Sequence, residues 1–119
     1  MGQGLKRGLT HYGDPDFSRY LRYSFAKSMG YSGKILSRPV VGIAYPPSGF
    51  NNCHRHFPEL LEAVKRGVLA SGGLPLEFPT ISLGEVFLNP TSLKFRNLMS
   101  MDVEEMISSQ PMDSVVLMG

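Results

Sequence analysis

A chain of 119 residues with 42% hydrophobic and 18% charged side chains holds at most one ordinary domain and has the balance of a globular protein rather than a disordered one. A net charge of +2 is too small to argue for nucleic acid as a partner, and no apolar run is long enough to cross a membrane. A single cysteine cannot form an internal disulfide, and no secretory h-region is visible, which together point to a reducing, cytoplasmic setting.

Residues 1–15, rich in glycine and charge, are expected to form a loose lead-in. Their "GQGLKRG" has only a superficial likeness to a phosphate-binding loop, because no strand precedes it. "DFSRYLRYSFAKSMG" (16–30) places Phe17, Tyr20, Leu21 and Phe25 at helical spacing, and Gly30 is a natural stop, so a packed amphipathic helix is predicted. "RPVVGIAY" (38–45) is nearly continuous in apolar residues and rich in β-branched ones, the pattern of a strand covered on both faces. Pro46 and Pro47 end it. A second helix is predicted over 56–70, with Phe57, Leu60, Leu61, Val64, Val68 and Leu69 on one face and Pro58 tolerated in the first turn. "LPLEFPT" (74–80) reads as a second strand and "SLGE" (82–85) as a loop. From Pro90 a helical stretch runs to about Ser109, with Phe95, Leu98, Met99, Val103, Met106 and Ile107 on one face. "DSVVLM" (113–118) is a third strand.

Strands separated by helices predict an α/β fold of alternating β-α-β units, with a mostly parallel sheet flanked by helices. Three strands leave open sheet edges, so the fold is expected to be incomplete as an isolated chain. In such sheets chemistry gathers at the carboxyl ends of the strands. Cys53 falls just past the first of these ends, Glu85 past the second and Gly119 at the third.

Cys53 precedes a predicted helix N-terminus, where partial positive charge favours a thiolate. Three readings stand side by side: a structural cysteine, a metal ligand and a nucleophile. With His54 and His56 it offers three ligand types to a small zinc-binding module, although Cys-His-x-His crowds them more than the usual zinc spacings do. Glu85, in a short loop containing glycine, is either a hard-cation ligand or a solvated carboxylate. Asp102, Glu104 and Glu105 read as a solvated helix face.

"RPVVGIAY", "AVKRGV", "GGLPLEFPTISLGE", "PTSLKFRNL" and "MDVEE" together make residues 16–119 resemble the amino-terminal part of the dihydroxy-acid and sugar-acid dehydratase family, in particular its aldonate branch. The resemblance implies a hydro-lyase that removes water from 2,3-dihydroxy carboxylates to give 2-keto-3-deoxy acids. It implies an iron–sulfur cluster (2Fe-2S or 4Fe-4S) held by three cysteines, with Mg2+ beside it. The first cluster cysteine corresponds to Cys53 and the magnesium-binding glutamate to Glu85. A second cysteine, in a Cys-Asp-Lys motif, is expected directly after Gly119. The third cysteine and the serine base are expected further on, so no catalytic residue is assigned within this chain. A homo-oligomer is implied for the complete enzyme, acting on a small-molecule acid.

His56 corresponds to a family histidine read as support beside the site. Tyr45-Pro46-Pro47 departs from the family pattern while Ser48 is retained, which makes Tyr45 and Ser48 candidates for the substrate loop. The alternative from another class is a non-catalytic truncated remnant acting only through subunit interaction.

Overall fold

The structure is a computed structural model describing residues 2–119. Three helices, α1 (Pro15–Ser28), α2 (Phe57–Ala70) and α3 (Leu93–Ser109), alternate with three strands, β1 (Val40–Tyr45), β2 (Leu74–Pro79) and β3 (Ser114–Leu117). Each element lies within a few residues of its predicted span. The sheet is wholly parallel, in the order β2-β1-β3. β1 pairs with β2 from Val40 opposite Leu74 to Tyr45 opposite Pro79, and with β3 from Val41 opposite Ser114 to Ala44 opposite Leu117. The near-continuous apolar run of β1 is explained by this central place: Val40, Ile43 and Ala44 are buried, as a strand with neighbours on both sides and cover on both faces requires.

Local signals account for the helix ends. Asp14 accepts a hydrogen bond from the Asp16 N–H at 2.9 Å and Pro15 occupies the first turn of α1. The chain leaves α2 through Gly72, whose φ of +89° suits glycine. One core cluster joins Leu36, Val40 and Leu74 to Ala26 of α1 and to Leu5.

That last residue corrects the expected loose lead-in. Leu5 is buried, and the backbone N–H groups of Gln3 and Gly4 both donate to the Asp113 carboxylate at 2.8 Å. Arg22 of α1 reaches back to the carbonyls of Leu5, Arg7 and Gly8. A charged, glycine-rich stretch was legible in the sequence, but the carboxylate that anchors it lies more than a hundred residues away.

The predicted packed face of α1 also needs correcting. Phe17, Tyr20 and Phe25 are exposed, Phe25 by 68%, while Ser18 and Ala26 face the interior. Beside them a mainly apolar cavity of about 390 Å³ opens between α1 and the sheet, lined in part by Leu21, Phe25, Leu74 and Leu76. In α3 no residue is fully buried; Leu98 is exposed, and Met99, Val103, Met106 and Ile107 are half-buried. Leu60 and Leu69 of α2 are likewise exposed. The radius of gyration is 16.3 Å, against about 13.5 Å for a compact chain of this length. Helices predicted from periodicity are present, but much of their apolar surface has no cover among the described residues. With both β2 and β3 as unpaired edges, this is an incomplete α/β arrangement.

Candidate active site

All three strands run the same way, so their carboxyl ends share one side of the sheet. The segments that follow them meet there. Cys53 lies in a short 3₁₀ turn, Asn52–His54, after β1; Glu85 opens another, Glu85–Phe87, after β2; Gly119 follows β3. Cys53, Glu85 and Gly119 line one cleft of about 480 Å³, together with Asn51, Arg96 and Met99. Parallel topology therefore brings together residues far apart in the chain.

The Cys53 thiol is free and exposed, with Asn52 Oδ1 4.0 Å from its sulfur. Its backbone N–H donates to Asn51 Oδ1 at 3.1 Å. Asn51 is buried, and its Nδ2 lies 3.3 Å from Ser82 Oγ, 3.4 Å from the Leu83 carbonyl and 3.2 Å from His54 Nδ1. His54 Nδ1 is 2.6 Å from Ser82 Oγ, and its ring stacks on Phe57 with centroids 4.5 Å apart.

Glu85 sits at the N-terminus of α3. Its carboxylate accepts from the Ser92 N–H, with Oε2 at 3.2 Å. Hydrogen bonding from the Ser92 side chain holds the carboxyl below its ordinary range; partial desolvation opposes this, and the Ser92 N–H, the Arg96 charge and the Thr91 hydroxyl reinforce it. Ionisation at a helix N-terminus is also favoured by the macrodipole. A carboxylate offers about four acceptor positions, so its bond to Ser92 does not exhaust it.

The remaining candidates are placed as follows. Ser48 Oγ accepts from the Phe50 N–H at 3.0 Å and lines a smaller cavity that shares Phe50, Gly84 and Phe87 with the main cleft. Tyr45 ends β1, its carbonyl accepting from the Thr80 N–H at 3.0 Å, and it is not among the residues lining either cavity. His56 is exposed and meets Phe57 edge-on; its carbonyl accepts from the Glu59 N–H, and its imidazole caps nothing.

No three His, Cys, Asp or Glu side chains gather as a metal-binding set among the described residues. Cys53, His54 and His56 therefore do not form the zinc site their proximity in sequence raised. The His54 Nδ1 is directed at Ser82, and the His56 ring lies against Phe57.

Sequence reasoning missed Asn51, Ser82, Ser92 and Arg96. Ser92, following Pro90 and opening a helical stretch, carried a start signal that pointed to α3 but not to Glu85. The long-range bonds of Asn51 had no sequence signal. Among the described residues no helix is long and apolar enough to cross a membrane.

In sequence the chain is similar to known dehydratases. The chain is 41% identical over 95% of its length to the L-arabonate dehydratase of Azospirillum brasilense, the match occupying 20% of that protein. It is 44% identical over 72% of its length to the 6-deoxy-6-sulfo-D-gluconate dehydratase of Pseudomonas putida, covering 15% of it. Against the dihydroxy-acid dehydratase of Moorella thermoacetica it is 35% identical over 78% of the chain and 18% of that enzyme. The chain thus spans about a fifth or less of the length of the curated relatives it matches. The profile of the N-terminal part of dihydroxy-acid/6-phosphogluconate dehydratases matches residues 38–119, from the residue before Pro39 through all three strands and both cleft loops, and the chain belongs to that dehydratase family.

Proposed function

We propose that this chain supplies the amino-terminal part of the active site of a hydro-lyase that dehydrates a 2,3-dihydroxy carboxylate, a sugar acid in particular, to a 2-keto-3-deoxy acid. In this reading Cys53 is one thiolate ligand of an iron–sulfur cluster and Glu85 is a carboxylate ligand of Mg2+. The observation that carries it is the convergence of Cys53, Glu85 and Gly119 on one cleft at the carboxyl ends of three parallel strands.

The donor chemistry fits such groups in part. A soft sulfur donor stands exposed on the cleft, and a hard oxygen donor held ionised stands on the same cleft. Each is a single donor rather than a complete set. When bound, the two groups supply Lewis acidity toward the departing hydroxyl and positive charge beside the developing enolate.

The chain's own residues do the rest of what it contributes. Ser92 and Arg96 favour the ionised form of Glu85, and Arg96 adds positive charge to the wall of a cleft meant for a carboxylate substrate. Ser48 tightens the loop after β1 through its bond to Phe50. Removal of the 2-proton is assigned to no residue here, and the chain alone is expected to be inactive. The complete enzyme would work as a homo-oligomer in the cytoplasm, where its cysteines stay reduced.

The test is Cys53→Ser in the complete enzyme, read as iron and sulfide content beside a thermal melt, with keto-acid release from a panel of aldonates. Serine is a poorer iron ligand than thiolate, so iron retention should fall while the melt stays close to the parent. Full iron occupancy in the variant would remove Cys53 from the ligand set.

A further inference from the structure

The side chain that joins the two candidate ligand loops is neither of the ligands. Asn51 is only 6% exposed, yet every polar atom of its carboxamide is engaged. Its Oδ1 accepts from the Cys53 N–H and so fixes the amide's orientation, turning Nδ2 toward the 82–85 loop. Nδ2 then has Ser82 Oγ and the Leu83 carbonyl as acceptors. One residue thereby bonds the turn that carries Cys53 to the loop that leads into Glu85.

A second observation is independent of these bonds. A Cβ at Gly84 would stand 2.8 Å from the Phe50 carbonyl oxygen and 3.3 Å from Asn51 Cα. The two loops approach so closely, backbone to backbone, that only glycine fits without a shift.

The same network sets the proton on His54. The two Nδ2 hydrogens of Asn51 are taken up by Ser82 Oγ and the Leu83 carbonyl. Ser82 Oγ, accepting from Asn51, turns its hydroxyl hydrogen to His54 Nδ1 at 2.6 Å, which leaves the ring proton on Nε2.

We propose that Asn51 is a positioning residue for the dehydratase site: its carboxamide holds the Cys53 turn against the Glu85 loop and, through Ser82, holds the His54 ring proton on Nε2. The proposal rests on the reading of Cys53 and Glu85 as ligands for its purpose, but not for its test.

The experiment compares Asn51→Ala, Asn51→Asp and Ser82→Ala in the 119-residue chain. Amide hydrogen exchange reads the loops, and ¹⁵N shifts of labelled histidine read the tautomer. In Asn51→Ala, exchange of the Cys53 N–H and of the Phe87 and Leu88 amides, which bond back to the Gly84 and Glu85 carbonyls, should accelerate together, by roughly three- to tenfold as expected for loss of a single net hydrogen bond. Asn51→Asp keeps an acceptor for Cys53 but has no donor for Ser82 and Leu83. Cys53 should then stay protected while the Phe87 and Leu88 amides exchange faster and the His54 proton moves to Nδ1. Ser82→Ala should release His54 and leave the Cys53 N–H alone. This variant and Asn51→Asp carry the test if Asn51→Ala fails to fold.

Unchanged exchange in Asn51→Ala, or Asn51→Asp loosening both loops alike with the Nε2–H tautomer intact, would overturn the proposal. None of these readouts depends on iron, so the loop coupling can stand if the ligand reading falls, and the reverse.

Discussion

Asp113 is the side chain that ties residues 3–7 to the sheet. Oδ1 accepts from the Gln3 N–H and from Arg7 Nη2, both at 2.8 Å, while Oδ2 accepts from Gly4 N–H at 2.8 Å and Val40 N–H at 2.9 Å. The Asp113 side chain is 10% exposed. Water can replace the first pair, whose donors are exposed; it cannot readily replace the second, whose donors are partly buried. Taking about 1.5 kcal/mol for each partly buried N–H bonded to a charged acceptor, Asp113→Ala should cost about 3 kcal/mol. That is a large share of the stability of any small domain. Asn should lose roughly half as much, because its one oxygen can serve the Gly4 and Val40 pair while its NH₂ faces two donors.

The pH dependence follows from the same contacts. Burial alone would raise the Asp113 carboxyl, but Arg7 and the N–H groups of Val40, Gly4 and Gln3 outweigh it and hold the carboxyl below its usual range. A folded-state pKa below the unfolded value of about 3.9 means the contribution is complete above that pH and fades as pH falls through the folded value. Urea melts of parent and Asp113→Ala should therefore differ at pH 7 and converge toward pH 2. An unchanged midpoint at pH 7, or a gap of the same size at both pH values, would show that the carboxylate does not anchor residues 3–7.

Glu85→Gln should loosen the first turn of α3, read as faster exchange of the Ser92 amide, and in the complete enzyme should lower turnover with iron content unchanged; full activity at limiting Mg2+ would take Glu85 out of the site. The Glu85 contribution to α3 should be complete above the unfolded value of about pH 4.3 and fade as pH falls through the lower, folded value. Leu36→Ala, at a side chain only 1% exposed, should cost about 3 kcal/mol by denaturant melt, whereas Phe25→Ala on the open face of α1 should cost well under 1 kcal/mol. The uncovered apolar surfaces of α1 and α3 should drive self-association, visible by light scattering across a concentration series; a monodisperse monomer with one cooperative melt would contradict that.

The elements and their order were legible in the residues alone. Periodicity, proline punctuation and a β-branched run are local properties, and they located three helices and three strands, including a first strand apolar enough to be central. The alternation of strand and helix then implied parallel pairing, and parallel pairing implied that the loops after the strands share one end, where Cys53, Glu85 and Gly119 line one cleft.

Other features depend on contacts between segments remote in the chain. Which face of α1 would be covered could not be read from spacing, because Arg22 and the segment around Leu5 take the inner side and leave Phe17, Tyr20 and Phe25 outside. The lead-in looked loose because its anchor, Asp113, is remote in sequence. His54 looked like a partner for Cys53 because it is adjacent, yet its ring is drawn to Ser82, 28 residues on, by a buried asparagine whose own sequence neighbourhood says nothing of it. Propensity and pattern act over a turn or two of chain, whereas polar satisfaction is settled by whatever atoms the fold brings within about 3 Å.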